Sequence, residues 1–247
     1  MSALTFYDLA SNKGAISPFT WRVRLALNYK RIPYKTHWLK FTEIEPHFKS
    51  IGAPATGKRP YNGADFYTCP VMQTTDGQII AGSDAIIEHL ETAFPDAPSL
   101  FPPGTHALQA AYVDLLSTQA LATSVQILVP GGVPDIVDPA SAEYFRTSRK
   151  AWFGTPLEEW VPFGSEKRRN AWKAAEEGWG KLAAVHRKSE GTWLTGDQPV
   201  FADLVMLALF CFMQKSIPEE EWEVVLGWHD GIWDRLWQTG QIHMSEE

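Results

Sequence analysis

Three short stretches place hydroxyls, an acid and a proline where each could hold a ligand. Ser17-Pro18 reads as a helix opening, with an N-cap hydroxyl followed by proline at the first helical position. As a cap, the Ser17 oxygen accepts a backbone N–H, while its own proton stays free to donate elsewhere. Ser83 stands where a second N-cap belongs, ahead of Ala85, Ile86, Ile87 and Leu90 at helical spacing, with Asp84 beside it. The free N–H groups and the dipole of such a helix start favour an anion, although capping alone also accounts for Ser83. Between these two starts, Pro70 opens a β-rich run in which it cannot donate to a ladder. A cis bond to Cys69 would bend the chain there and leave the backbone groups of Cys69 free; about one X–Pro bond in twenty is cis in folded proteins.

These residues are carried by an alternating first part. Residues 3–9 and 33–39 predict strands, and a helix follows Ser17 with an apolar face of Val23, Leu25, Ala26 and Leu27, broken by Arg22 and Arg24. Residues 43–50 predict a short helix, and the turn-rich stretch 52–65 predicts a loop. Residues 69–74 and 77–81 predict two strands joined by Asp76-Gly77, a dipeptide suited to a tight hairpin turn. The order is β-α-β-α-β-β-α, with a right-handed crossover in the first unit.

After Phe94 the texture changes. The stretch PDAPSLFPPGTH, with four prolines, reads as a linker, and from His106 onward only helical patterns appear. They cover 107–128, closed by a loop at Val129-Pro130-Gly131-Gly132, then 140–153, 165–189 and 201–215, with shorter helices in 219–238. Residues 201–213 are apolar nearly all round, which predicts the central helix of this half. The expected architecture is an α/β domain over 1–95, a linker over 96–105 and an all-helical bundle domain over 106–247.

The composition narrows the function classes. The 247 residues are 45% hydrophobic and 21% charged, an ordinary globular balance. A formal net charge of −7 argues against a nucleic-acid surface. No secretory signal opens the chain, and its most apolar segment falls short of the roughly 18 residues that span a bilayer. Cys69 and Cys211 are the two cysteines, without metal-ligand spacing. The expectation is a soluble, cytoplasmic protein without a metal, a nucleic-acid partner or a membrane partner. The 11 tryptophans, concentrated after residue 150, fit core packing better than a ligand platform at any single position.

The Ser17-Pro18 start with WRVRLAL, the Tyr67-Thr68-Cys69-Pro70-Val71 strand start, the Gly82-Ser83-Asp84-Ala85-Ile86 step, and Gly196-Asp197 with Ala202-Asp203-Leu204 occur in order along the chain. In this order they resemble the soluble glutathione transferases. SPFTWRVRLALNYKRIPY and EPHFKSIGA are most similar to the fungal FuA class and its bacterial β-etherase relatives. The resemblance implies a thioredoxin-like N-terminal domain that binds glutathione as co-substrate, a helical domain that receives the acceptor, and a homodimer. It implies that the main chain of Cys69, set by Pro70, meets the cysteinyl part of glutathione and that Ser83 holds the γ-glutamyl carboxylate. Family members often carry an acid or Gln before that serine; this chain has Gly82, and Asp84 can stand in for it against the ligand's amino group. For the glycine carboxylate the flanking loops offer Lys40 and Lys58, each of which fits equally well as a solvated surface lysine.

The implied reaction is attack by the glutathione thiolate on a hydrophobic aromatic electrophile or an aryl ether, with Ser17 as the thiolate's hydrogen-bond donor. Thr20, Ser11 and Asn12 are alternative donors. No cysteine lies at the first helix start, which argues against thiol-transfer chemistry. A ligandin-type protein that keeps the fold and holds apolar aromatic ligands fits the same residues. The acceptor is expected near the Ser17 helix and residues 107–128, under a loop at 129–137.

Overall fold

The computed structural model describes residues 3–246. Its first elements are β1 Leu4–Leu9, α1 Pro18–Tyr29, β2 Tyr34–Leu39 and α2 Ile44–Ser50. They are followed by the two-residue strands β3 Gly57–Lys58 and β4 Asp65–Phe66, then β5 Val71–Gln73, β6 Ile79–Ala81 and α3 Ser83–Ala93. The main sheet runs β2-β1-β5-β6, with β1 and β2 parallel and the other pairs antiparallel. This is a thioredoxin-like domain, in the element order that the sequence predicts. The expected loop over 52–65 contains an added hairpin, in which Gly57 pairs with Phe66 and Lys58 with Asp65. Two-residue strands leave no periodicity to read, so only their turn formers show in the sequence.

Phe6, Val23, Leu25, Leu27, Val71, Met72 and Ile86 are fully buried around this sheet. Arg24, which interrupts the apolar face of α1, lies fully buried and pairs with Asp8 of β1 at 2.8 Å. The pair locks α1 onto β1, because separating either charge from the other inside the core would cost several kcal/mol.

The chain forms two compact units. The first takes residues through Pro98, then Pro134–Leu157 and the stretch from Ser245; the second takes Ser99–Val133 and Glu158–Met244. The later helices are α4 His106–Leu116, α5 Ala122–Ile136, α6 Pro139–Phe153, α7 Glu166–His186, α8 Phe201–Ser216 and α9 Glu219–Gly240. A π-helical turn, Ser117–Leu121, joins α4 to α5. Helix α6 belongs to the first unit, not to the helical one.

The loop expected at Val129-Pro130-Gly131-Gly132 is absent; α5 continues through it to Ile136. Proline inside a helix gives up one hydrogen bond, which tertiary packing can outweigh. The packing is visible at Gly132, where a Cβ would collide with the backbone of Ser216 at the end of α8. The expected cover over the acceptor site at 129–137 is therefore helix for nearly all its length.

In the second unit every residue of α8 from Phe201 to Met213 is buried, as the all-round apolar pattern predicts. Val200 precedes it without a capping side chain, and Asp203 accepts the Val200 N–H at 3.0 Å and the Leu194 N–H at 3.1 Å. Trp179 and Trp233 are fully buried, with Trp179 stacked on Phe210 at 5.3 Å. His186 sits beside them, hydrogen-bonded to the Tyr112 hydroxyl at 2.7 Å.

Burial pushes the His186 imidazole down from 6.5 to about 4. The folded unit therefore keeps it neutral while the unfolded chain takes up a proton below pH 6.5. Stability is full above that pH, falls by about 3 kcal/mol as pH drops towards 4, and then levels off in this respect. The expected result is a urea midpoint that declines across this window in the wild type and declines less in His186→Gln.

Candidate active site

The loop between β1 and α1 is held by the Trp21 indole N–H, which donates to the Ala15 carbonyl at 2.9 Å. This places Ser17 as the N-cap of α1, with Oγ accepting the N–H groups of Phe19 at 3.2 Å and Thr20 at 3.5 Å. Its hydroxyl proton has no acceptor among the described residues. The other hydroxyls near this start donate to backbone, Thr20 to the Ser17 carbonyl at 3.1 Å and Ser11 to the Gly14 carbonyl at 2.6 Å.

The Cys69–Pro70 bond is cis. Cys69 lies just before β5, outside the strand ladder, and its side chain is buried. Burial pushes the Cys69 thiol well above its ordinary value, and the nearby Asp8 charge adds to the shift. The Pro70 carbonyl accepts the N–H of Gly82 at 3.0 Å, tying the head of β5 to the start of α3.

Ser83 is the first residue of α3, and the N-cap is Gly82. The sequence pattern assigned the cap to Ser83, one place late. Gly82 has φ 93° and ψ 140°, a backbone conformation that costs a side-chain-bearing residue of order 1–3 kcal/mol. A Cβ at Gly82 would meet nothing within 4 Å, so conformation and not space calls for glycine. Because glycine brings no capping side chain, the first-turn N–H groups of α3 are left for a ligand.

These pieces open on one cavity of about 420 Å³, built entirely within the first unit. Ser17, Cys69, Pro70 and Ser83 line it. Asp84 is exposed beside it and accepts the Ser83 hydroxyl at 3.4 Å. Lys40 and Lys58 are exposed and are not among the lining residues; Lys58 pairs with Asp65 at 2.5 Å.

The sequence reading missed one wall. Tyr144, Arg149 and Trp152 of α6 line the cavity together with Phe41 and Phe66. Trp152 meets Phe66 edge to face at 5.3 Å, and Arg149 lies over the rings of Phe145 at 4.2 Å and Trp152 at 5.2 Å. Positions 145, 149 and 152 fall on one helix face, so an aromatic-basic stripe was present to be read. Arg59 braces the wall through Tyr144, bonded to Glu45 at 2.7 Å and to the Tyr144 hydroxyl at 3.3 Å.

Residues 16–93 match the family model for the glutathione S-transferase N-terminal domain, and residues 107–241 match that for the C-terminal domain. The chain belongs to the glutathione S-transferase family. Among solved glutathione S-transferases, CsGST63524 of Ceriporiopsis subvermispora, in complex with glutathione, is 32% identical. The match covers 100% of this chain and 99% of that one, with a TM-score of 0.92. GSTFuA3 from Phanerochaete chrysosporium is 36% identical over the same shares, with a TM-score of 0.91. The glutathione S-transferase-like protein ustS of Aspergillus flavus is 28% identical, covering 96% of this chain and 90% of that protein. The C-terminal family match includes α6, the helix that completes the cavity of the first unit.

Proposed function

We propose that this chain conjugates glutathione to hydrophobic aromatic electrophiles, or cleaves aryl ethers with it, using Ser17 to hold the thiolate. The observation that carries the reading is the shared cavity of the Ser17 hydroxyl, the cis Cys69–Pro70 bond and the uncapped start of α3. In this reading the α3 start and Ser83 bind the γ-glutamyl carboxylate, with Asp84 near the ligand's amino group. The Cys69 main chain meets the cysteinyl unit. The protein's own Cys69 thiol is buried and held protonated, so the reacting sulfur belongs to the co-substrate.

The energetics are sufficient. A free thiol with pKa near 8.5 is about 3% thiolate at pH 7. Lowering it by two units takes about 2.7 kcal/mol. A hydrogen bond to a charged group supplies roughly 1.5–3 kcal/mol, and the start of α1 adds roughly 0.3–1 kcal/mol. The aromatic wall of Phe41, Phe66 and Trp152 suits a flat apolar acceptor. The same wall favours a second reading, a ligandin that holds such molecules with little turnover.

Calorimetric titration with glutathione, followed by a conjugation assay with an activated aryl halide, tests both. Binding with turnover is the expected result; binding without turnover selects the ligandin. No heat at millimolar glutathione would overturn the transferase reading.

A further inference from the structure

Glutathione carries two carboxylates, and the site as built so far accounts for one. The γ-glutamyl carboxylate goes to the start of α3 and the thiol goes to Ser17. That leaves the rest of the lining, which includes Phe41, Thr56, Phe66, Thr68, Arg149 and Trp152, for the glycine end. The cavity lining holds one cationic side chain, Arg149, and one acid, Glu45. Glu45 is engaged already, by Lys49 at 2.6 Å and Arg59 at 2.7 Å.

Among the described residues, four other cations drawn into the fold have acids. Arg24 pairs with Asp8 at 2.8 Å, Lys30 with Glu91 at 2.7 Å, Arg59 with Glu45 at 2.7 Å and Arg168 with Glu221 at 2.6 Å. Arg149 has no such pair: it donates to Ser148 Oγ of its own helix at 3.0 Å and otherwise faces rings. Arg22 is likewise buried without a close acid, but it does not line the cavity and feels the charge of Asp84. Burial pushes Arg149 down to about 10, with the charge of Arg59 adding to the effect, so it remains a cation at neutral pH. A half-buried guanidinium without a counter-charge is costly unless an anion arrives to meet it.

We propose that Arg149, carried by α6, holds the glycine carboxylate of glutathione in a forked, charge-assisted pair. This rests on the reading of the cavity as a glutathione site. The planar guanidinium matches a carboxylate in two parallel hydrogen bonds, which an ammonium cannot reproduce. Lys58 is spent on Asp65, and neither Lys58 nor Lys40 reaches the lining.

The test titrates wild type, Arg149→Met and Arg149→Lys with glutathione and with γ-glutamylcysteine, which lacks the glycine. Methionine keeps much of the stem that packs on Phe145 and Trp152, and circular dichroism with urea unfolding checks the fold. Wild type should bind glutathione about tenfold or more tightly than γ-glutamylcysteine, the loss expected for one charged hydrogen-bonded pair. Arg149→Met should lose that advantage and bind both ligands alike, with Arg149→Lys in between. Equal loss for both ligands would assign Arg149 a structural role and overturn the proposal. An unchanged glutathione affinity with a raised KM for a carboxylated aryl halide would reassign it to the acceptor and overturn it too. If Arg149→Met does not fold, the wild-type comparison decides alone, and equal affinities there overturn the proposal. A wild type that binds neither peptide overturns the underlying reading as well, which separates the two failures.

Discussion

Ser17→Ala is expected to lower kcat/KM for glutathione conjugation at pH 7 by about ten- to a hundred-fold, the equivalent of one charge-assisted hydrogen bond. The alkaline shift matters more than the loss. Without the hydroxyl, the pKa read from the pH–rate profile should move up towards that of free glutathione thiol, and activity should largely return at high pH. Ser17 also caps α1 through the N–H groups of Phe19 and Thr20, so alanine should cost about 1 kcal/mol of stability as well. Ser17→Asp separates the two roles. Aspartate retains the capping oxygen but has no proton to give, and it sets a negative charge against the thiolate. Stability near wild type with activity as low as that of alanine is the expected pattern for Asp. A profile that stays in place in both variants would remove Ser17 from the chemistry.

The largest expected effect on folding lies at Asp203. Its carboxylate takes two backbone N–H groups, from Val200 and Leu194, inside the core. Asp203→Ala strands both donors, and each stranded donor costs about 1–3 kcal/mol. Together they approach half of a typical folding free energy of about 5–15 kcal/mol. A drop in Tm of roughly 5–20 °C is expected by calorimetry. The Asp203 carboxyl, raised to about 7 by burial against the pull of these two hydrogen bonds, lies outside the cavity. The fraction that folds should therefore keep its affinity for glutathione. A Tm within a degree or two of wild type would mean that the two N–H groups find other partners.

Much of this was legible because the signals are local. A serine before a proline specifies a helix start from two residues, and Ser17 caps α1 as that pair predicts. Asp76-Gly77 specifies a tight turn in the same way; Gly77 has φ 92°, and Thr74 and Gln78 pair across it. What escaped depends on chain segments meeting at long range. Pro130 and the glycines after it look like a loop until Gly132 is seen pressed on Ser216. Gly82 reads as a missing acid until its φ of 93° shows that the backbone itself calls for glycine. Lys40 and Lys58 sit on the expected loops, yet a loop's charge does not reveal which way it faces or what it already holds. Arg149 could be found on its helix but not in the site, because nothing in the local sequence says that α6 returns to the first unit.

That return has a consequence for how the protein is made. The pocket-bearing unit is assembled from three separated lengths of polypeptide: the first 98 residues, then 134–157, then the stretch from Ser245. In the last of these, Asn28 donates to the Ser245 carbonyl at 2.9 Å and Arg24 to the Glu246 carbonyl at 3.2 Å. A ribosome delivers the sheet before the wall bearing Arg149, with a stretch of the other unit between them, and the strap on α1 after the rest of that unit. The thioredoxin-like part is thus interleaved with the helical unit along the chain, and its ligand pocket cannot close before residues 144–152 have followed the first stretch of that unit. A fragment ending at residue 98 would emerge with Ser17 and Ser83 but with one side of the cavity open to water.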